Sequence, residues 1–166
     1  MSVNTTPATW TTGEVPTAAK MNAEIRDVAN GLQAVWDSYS VAWTAATTNP
    51  ALGNGTLTGR YLRMGKTVIV GIHLVLGSTT TLGSGAYSFT LPVGALANTG
   101  MRLAAMLNTT GATNFRSGFS SVLSGTGFQV YLGSGTAGDL DTLTASFPSS
   151  LGAGDILDIN GVYEAA

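Results

Sequence analysis

The chain has 166 residues, enough for one domain with a small appendage, and a chain of this length can bury a core without a disulfide or a metal. It has no cysteine, which excludes thiolate catalysis and cysteine zinc sites. Only 10% of its residues are charged, the formal net charge is −2 and mean hydropathy is +0.25, so it offers no electrostatic footprint to nucleic acid or to an anionic membrane.

Along the chain, Met1-Ser-Val-Asn-Thr-Thr6 is neither basic nor apolar, which predicts no signal peptide and synthesis in a cytoplasm. Residues 1–13 are polar and Thr-rich and read as an extended arm. Trp10 is a large apolar group that a solvated tail has no reason to carry, so it is expected to dock on a neighbour and attach the chain to a larger particle. A short α-helix is expected from about Thr17 to Tyr39, started by Pro16 or Thr17. Met21, Ile25, Val28, Leu32 and Val35 fall four, three, four and three apart, the spacing of one heptad stripe. That stripe is the expected oligomer interface. The competing reading lays the same helix on the chain's own sheet. Gly31 costs the helix about 1 kcal/mol relative to alanine.

From Ser40 the helical period gives way to short alternating runs. Strands are expected at Val41–Thr44, Thr56–Met64, Thr67–Leu76, Ala86–Leu91, Arg102–Asn108, Asn114–Leu123, Gly127–Leu132, Thr142–Phe147 and Ile156–Glu164. Gly-, Asn- and Pro-rich clusters separate them, and Gly65-Lys66 makes the tightest turn. The longest apolar run, Val68 to Leu76, is too short to span a bilayer. The fold class expected is mainly β: an N-terminal arm and short α-helix (residues 1–40), then an antiparallel β-sandwich, jelly-roll-like (residues 41–166).

The chemistry-bearing residues are sparse. The single histidine, His73, sits mid-strand with no partner carboxylate nearby in sequence, which points to a surface or interface side chain and not to a base. Asp139 and Asp141 lie in a Gly-rich loop but lack the ligand ladder of an EF-hand, so they read as turn residues. The Gly-rich pieces have no Gly-Lys-Ser/Thr ending and no helix behind them, and so fail as phosphate cradles. Arg60, Arg63 and Lys66 cluster at the first hairpin and read as rim residues of an interface. The expectation is no catalytic residue, no metal and no cofactor. Exposed aromatics are the candidate ligand contacts, Tyr87 and Tyr131 above all, with Tyr39 and Trp43 beside them; a cell-wall glycan is the ligand class they would suit.

One stretch carries a resemblance. Trp10, Gly13-Glu14-Val15, Ala18-Ala19, Met21-Asn22 and Ile25-Arg26-Asp27 follow in the order of a leader found on virion proteins of phages infecting actinobacteria. Gly55-Thr56 through Arg60-Tyr61, Gly65-Lys66-Thr67-Val68 to Leu76-Gly77, Phe89-Thr-Leu-Pro92, Phe147-Pro148, Gly154-Asp155 and Gly161-Val-Tyr-Glu164 resemble the β domains that follow it. The resemblance implies a non-enzymatic structural protein on the virion surface, a homotrimer whose partners are other phage proteins of the tail or the major capsid lattice. It implies a minor tail or fibre protein touching the host surface, with a head decoration protein that cements the capsid as the alternative. A glycan-binding module is the third reading.

Overall fold

The computed structural model describes residues 8–26, 29, 35–97, 99–110, 115–133 and 139–166. Its order is a one-turn helix α1 (Ala18–Met21), a π-helical turn (Asn22–Arg26), then strands β1 (Asp37–Tyr39), β2 (Trp43–Ala45), β3 (Thr56–Met64), β4 (Thr67–Val75), β5 (Tyr87–Ala95), β6 (Ala104–Asn108), β7 (Phe115–Ser120), β8 (Gly125–Gly133), β9 (Leu140–Thr142) and β10 (Ile156–Glu164). Every pairing is antiparallel. The mainly β expectation stands, but the pairing does not separate into the two sheets of a jelly roll. It follows one path, β1-β3-β4-β10-β6-β7-β8-β5-β2 with β9 on β8, curled into a half-barrel. Strands buried on one face read alike in either architecture, because alternation reports the buried face and not the strand order.

The concave face holds the core. Val68, Val70, Ile72 and Leu74 of β4, Leu157 and Ile159 of β10, and Phe128, Val130 and Leu132 of β8 are each at most 4% exposed. One inner row runs Gly59–Ile72–Ile159–Ala105–Gly118–Leu132 across six strands. Trp43, Tyr87, Phe89 and Phe128 close the far end, with Trp43 edge-on to Tyr87 (5.2 Å) and Phe89 tilted against Phe128 (6.1 Å). Aromatic pairs in these geometries add to what burial alone supplies.

The two ends of the path are joined by residues 37–45. β1 pairs with β3 at one end, and β2, three residues later, pairs with β5 at the other. Gly59 allows this: a Cβ there would come within 2.5 Å of both the Tyr39 ring and a Val41 methyl. The Tyr39 hydroxyl then donates to Thr90 O (3.1 Å), and Ala42 N donates to Thr90 Oγ1 (2.9 Å). This corrects the expected helix at its far end. Asp37–Tyr39 is strand because the pairing with β3 and the burial of Tyr39 outweigh a local helical period. β5 also runs past its expected end, through Pro92 to Ala95. The register with β8 shifts between Thr90 and Ala95, and a proline without an amide hydrogen is tolerated in such an interruption. Tyr163 ties the irregular stretch to β10, its hydroxyl donating to Val93 O at 2.7 Å.

Candidate functional site

Two surfaces remain once the core is removed: the N-terminal segment and the convex face of the sheet. The N-terminal segment is organised by one ammonium group. Lys20 Nζ donates to Thr9 O (3.3 Å), pairs with Glu14 Oε1 (2.5 Å) and lies 4.5 Å from the centre of the Trp10 ring. Glu14 Oε2 in turn accepts from the amide and hydroxyl of Thr11, across a turn in which Gly13 has φ 84. The Lys20 and Thr11 donors hold the Glu14 carboxyl below its ordinary value of 4.5. Thr17 caps α1 by accepting from Lys20 N (3.2 Å). The result is a hook over residues 9–20 in which Thr9, Trp10, Glu14 and Thr17 each touch Lys20, and Thr11 reaches it through Glu14.

None of the hook's helical residues is buried. Trp10, Val15, Met21 and Ile25 are 45%, 84%, 40% and 54% exposed. Of the expected heptad stripe, Met21 lies in α1 and Ile25 in the π-helical turn, while Val28 and Leu32 fall outside the described residues. Val35 is exposed and outside any helix, two residues before β1, so the stripe does not reach it.

The convex face divides in two. Its first half, over β3, β4 and β10, is mixed: Arg60, His73 and Asp158 share it with Met64 and Val162, which are 37% and 47% exposed. Arg60 lays its stem over Gly71 and stacks its guanidinium 5.0 Å from the Trp36 ring. Beside it, His73 Nδ1 meets Asp158 Oδ1 at 2.7 Å. This carboxylate is the partner that could not be seen near His73 in the sequence. It comes from β10, which pairs with β4 residue for residue and sets Asp158 opposite His73. The two side chains are 48% and 41% exposed, on an outward-curving surface.

The second half, over β6 to β9, is apolar. Phe119 lies between Ala104 and Tyr131 in the register, and Met106 faces Ser117 with Phe115 and Phe119 on its diagonals. Phe115, Phe119, Met106, Val122 and Leu140 are 65%, 52%, 46%, 41% and 52% exposed. Arg102, Phe119, Ser121, Val122, Tyr131 and Leu140 line an open groove there. Tyr131, expected as a ligand contact, thus lies in this groove, its hydroxyl donating to Gln129 Oε1 (3.3 Å). Tyr87 does not. It is 1% exposed, its hydroxyl donates to Leu82 O (2.7 Å), and burial pushes its phenol up to about 12. Trp43 is likewise core, and burial raises the phenols of Tyr39 and Tyr163.

Two further carboxylates bind nearby backbone amides. Asp141 Oδ1 accepts from Thr142 N, and Asp155 accepts from Thr110 and from Gly152 N. Among the described residues no three His, Asp or Glu side chains gather as a metal site would need. Nor, among them, is any helix long and apolar enough to cross a membrane. No family model, no curated protein and no solved structure matches this chain.

Proposed function

We propose that this chain is a non-enzymatic structural protein of a bacteriophage particle, a homotrimer on the virion surface, serving as a minor tail or fibre protein. The observation that carries the reading is the hook. Within residues 9–20, Lys20 and Glu14 hold Thr9, Trp10 and Thr11 together yet leave Trp10 and Val15 largely open, and Met21 and Ile25 just beyond are open too. A segment shaped by exposed contacts that leaves its apolar groups open is suited to seating on another protein, which would complete their burial and fix the shape. These are also the residues by which the chain resembles virion leaders. The His73–Asp158 pair fits a surface role, lying on a convex face that gives a substrate no enclosure.

The decisive measurement is solution mass by light scattering. Three times the chain's 16.9 kDa is expected, and a monomer at micromolar concentration overturns the homotrimer. Antibody against the sheet should label the tail of particles; labelling spread over the head would favour the decoration protein instead. Tyr131, Phe119 and Arg102 around one groove favour a second reading, binding of cell-wall glycan, which retention on purified wall material would test.

A further inference from the structure

We infer that the outward row of side chains running from Trp36 and Arg60 to Phe119 and Tyr131 is a track for a linear, uncharged glycan. The inference rests on the glycan reading and deepens it, from one groove to the breadth of the convex face and from glycans at large to uncharged ones. Register alone builds the row. Arg60 lies opposite Gly71, Gly71 opposite Asn160, Asn160 opposite Ala104, Ala104 opposite Phe119 and Phe119 opposite Tyr131, so β3, β4, β10, β6, β7 and β8 each give one outward residue. Five strand spacings of about 4.8 Å make a path of about 24 Å.

Both ends of this path carry aromatic rings, and its middle is low. At one end Trp36 is 43% exposed, with the Arg60 guanidinium 5.0 Å from its ring. At the other, Phe119 is 52% exposed beside Tyr131, over the open groove. The outward setting of Phe119 is enforced by its neighbour. A Cβ on Gly118 would run into the Tyr131 carbonyl, so no larger residue can turn inward there and the ring is held on the convex side. Between the ends, Gly71 and Ala104 rise little above the backbone, and Asn160 is exposed.

The ligand class follows from what these groups offer together. A sugar ring presents C–H faces, which pack on aromatic rings, and hydroxyl edges, which both donate and accept. The Asn160 amide does both. His73 and Asp158 flank the row, and their contact ties Nδ1 to Oδ1, leaving Nε2 and Oδ2 for a ligand. Arg102 at the groove gives Nη1 to Ser120 O and keeps its other donors. Charge rules out the other polymers. An anionic chain would meet Asp158 beside the row and the exposed Asp139 and Asp141 at its far end, and a cationic one would meet Arg60 and Arg102. Hydroxyl groups bond to carboxylates and guanidinium groups alike. An open, convex path also suits a polymer lying across it, where a small molecule would lack enclosure.

The test uses the full chain and uncharged linear oligosaccharides cut from purified bacterial wall glycan and sorted by length. Affinity by titration calorimetry should rise with length and level off once the oligosaccharide spans the row, and should not change from low to high salt. Trp36→Ala and Phe119→Ala should each weaken binding about tenfold, with circular dichroism unchanged. Phe115→Ala, which removes an equally exposed ring two rows away, should bind as the wild type does. Should Phe119→Ala misfold, Phe119→Leu removes the ring face and keeps the bulk. Loss of binding in Phe119→Ala but not in Trp36→Ala overturns the track and leaves the groove as the glycan site. Equal losses in Phe115→Ala and Phe119→Ala overturn the track in favour of unspecific apolar adhesion. Binding that salt abolishes overturns the uncharged class. No binding by the wild type overturns the track and the glycan reading together, and leaves the virion role to be judged by solution mass and particle labelling.

Discussion

The hook and the sheet are held by opposite means. In the sheet, cohesion comes from apolar burial shared among strands far apart in sequence, such as β4 and β10, whose His73 and Asp158 are 85 positions apart. In the hook it comes from one ammonium, one carboxylate and a threonine cap, all within residues 9–20 and all near solvent. Burial is worth kilocalories per side chain, whereas exposed ion pairs are worth about 0–1 kcal/mol. The hook is thus a shaped but weakly held surface, suited to being fixed by what it touches, and the sheet needs nothing outside itself to stay folded.

The sharpest way to separate them is to damage the sheet. Phe89, 1% exposed and packed against Trp43 and Phe128, should lose about 3–5 kcal/mol on Phe89→Ala, measured by denaturant unfolding. The Trp10–Lys20 contact, followed by the nuclear magnetic resonance of the Trp10 indole, should persist in that variant under native conditions. Next in size is Tyr163→Phe. It leaves Val93 O without its donor where β5 loses register, at an expected cost of about 1–3 kcal/mol; an unchanged unfolding midpoint would show that Val93 needs no tie.

Smaller effects belong to the hook. Lys20→Met should shift the Trp10 indole resonance and weaken attachment to the particle while moving global stability by under about 0.5 kcal/mol. A larger fall in stability would mean that hook and sheet are coupled. The smallest effect is in pH. Because the folded-state value of Glu14 is lowered, its contribution is full above 4.5 and is lost as the pH falls through that lowered value. The Trp10 signal should therefore hold from neutral pH to 4.5 and move only in stronger acid. Movement at higher pH would point to a different group.

Much of the sheet was legible in the sequence. β3 and β10 begin and end where alternation and turns place them, at Thr56–Met64 and Ile156–Glu164. What escaped was non-local. β1 lies inside an apparent helical period, and only its pairing with β3 makes it a strand. A curled sheet and a sandwich bury the same alternate residues, so pattern could not choose between them. At the candidate surface, Trp10 and Tyr131 were read from residue type alone. Tyr87 was misplaced because a tyrosine whose hydroxyl meets a loop carbonyl in the core reads like an exposed one. His73 lacked a visible partner because strand register, not sequence distance, delivers Asp158. Phe119 was missed because alternation by itself would turn it inward; the crowding at Gly118 turns it out.

The clasp of residues 37–45 has a mechanical consequence. A chain fixed by its N-terminal segment passes any tension on that segment into the sheet through β1, which holds β3 by three register pairs, Asp37 with Tyr61, Ser38 with Arg60 and Tyr39 with Gly59. Those pairs lie at the margin of the strand order, so they yield before the nine pairs between β4 and β10 bear load. Under a pull the first thing to give is a short sacrificial strand, which lengthens the tether and absorbs the strain while the core of Val130, Ile159 and Phe89 stays whole.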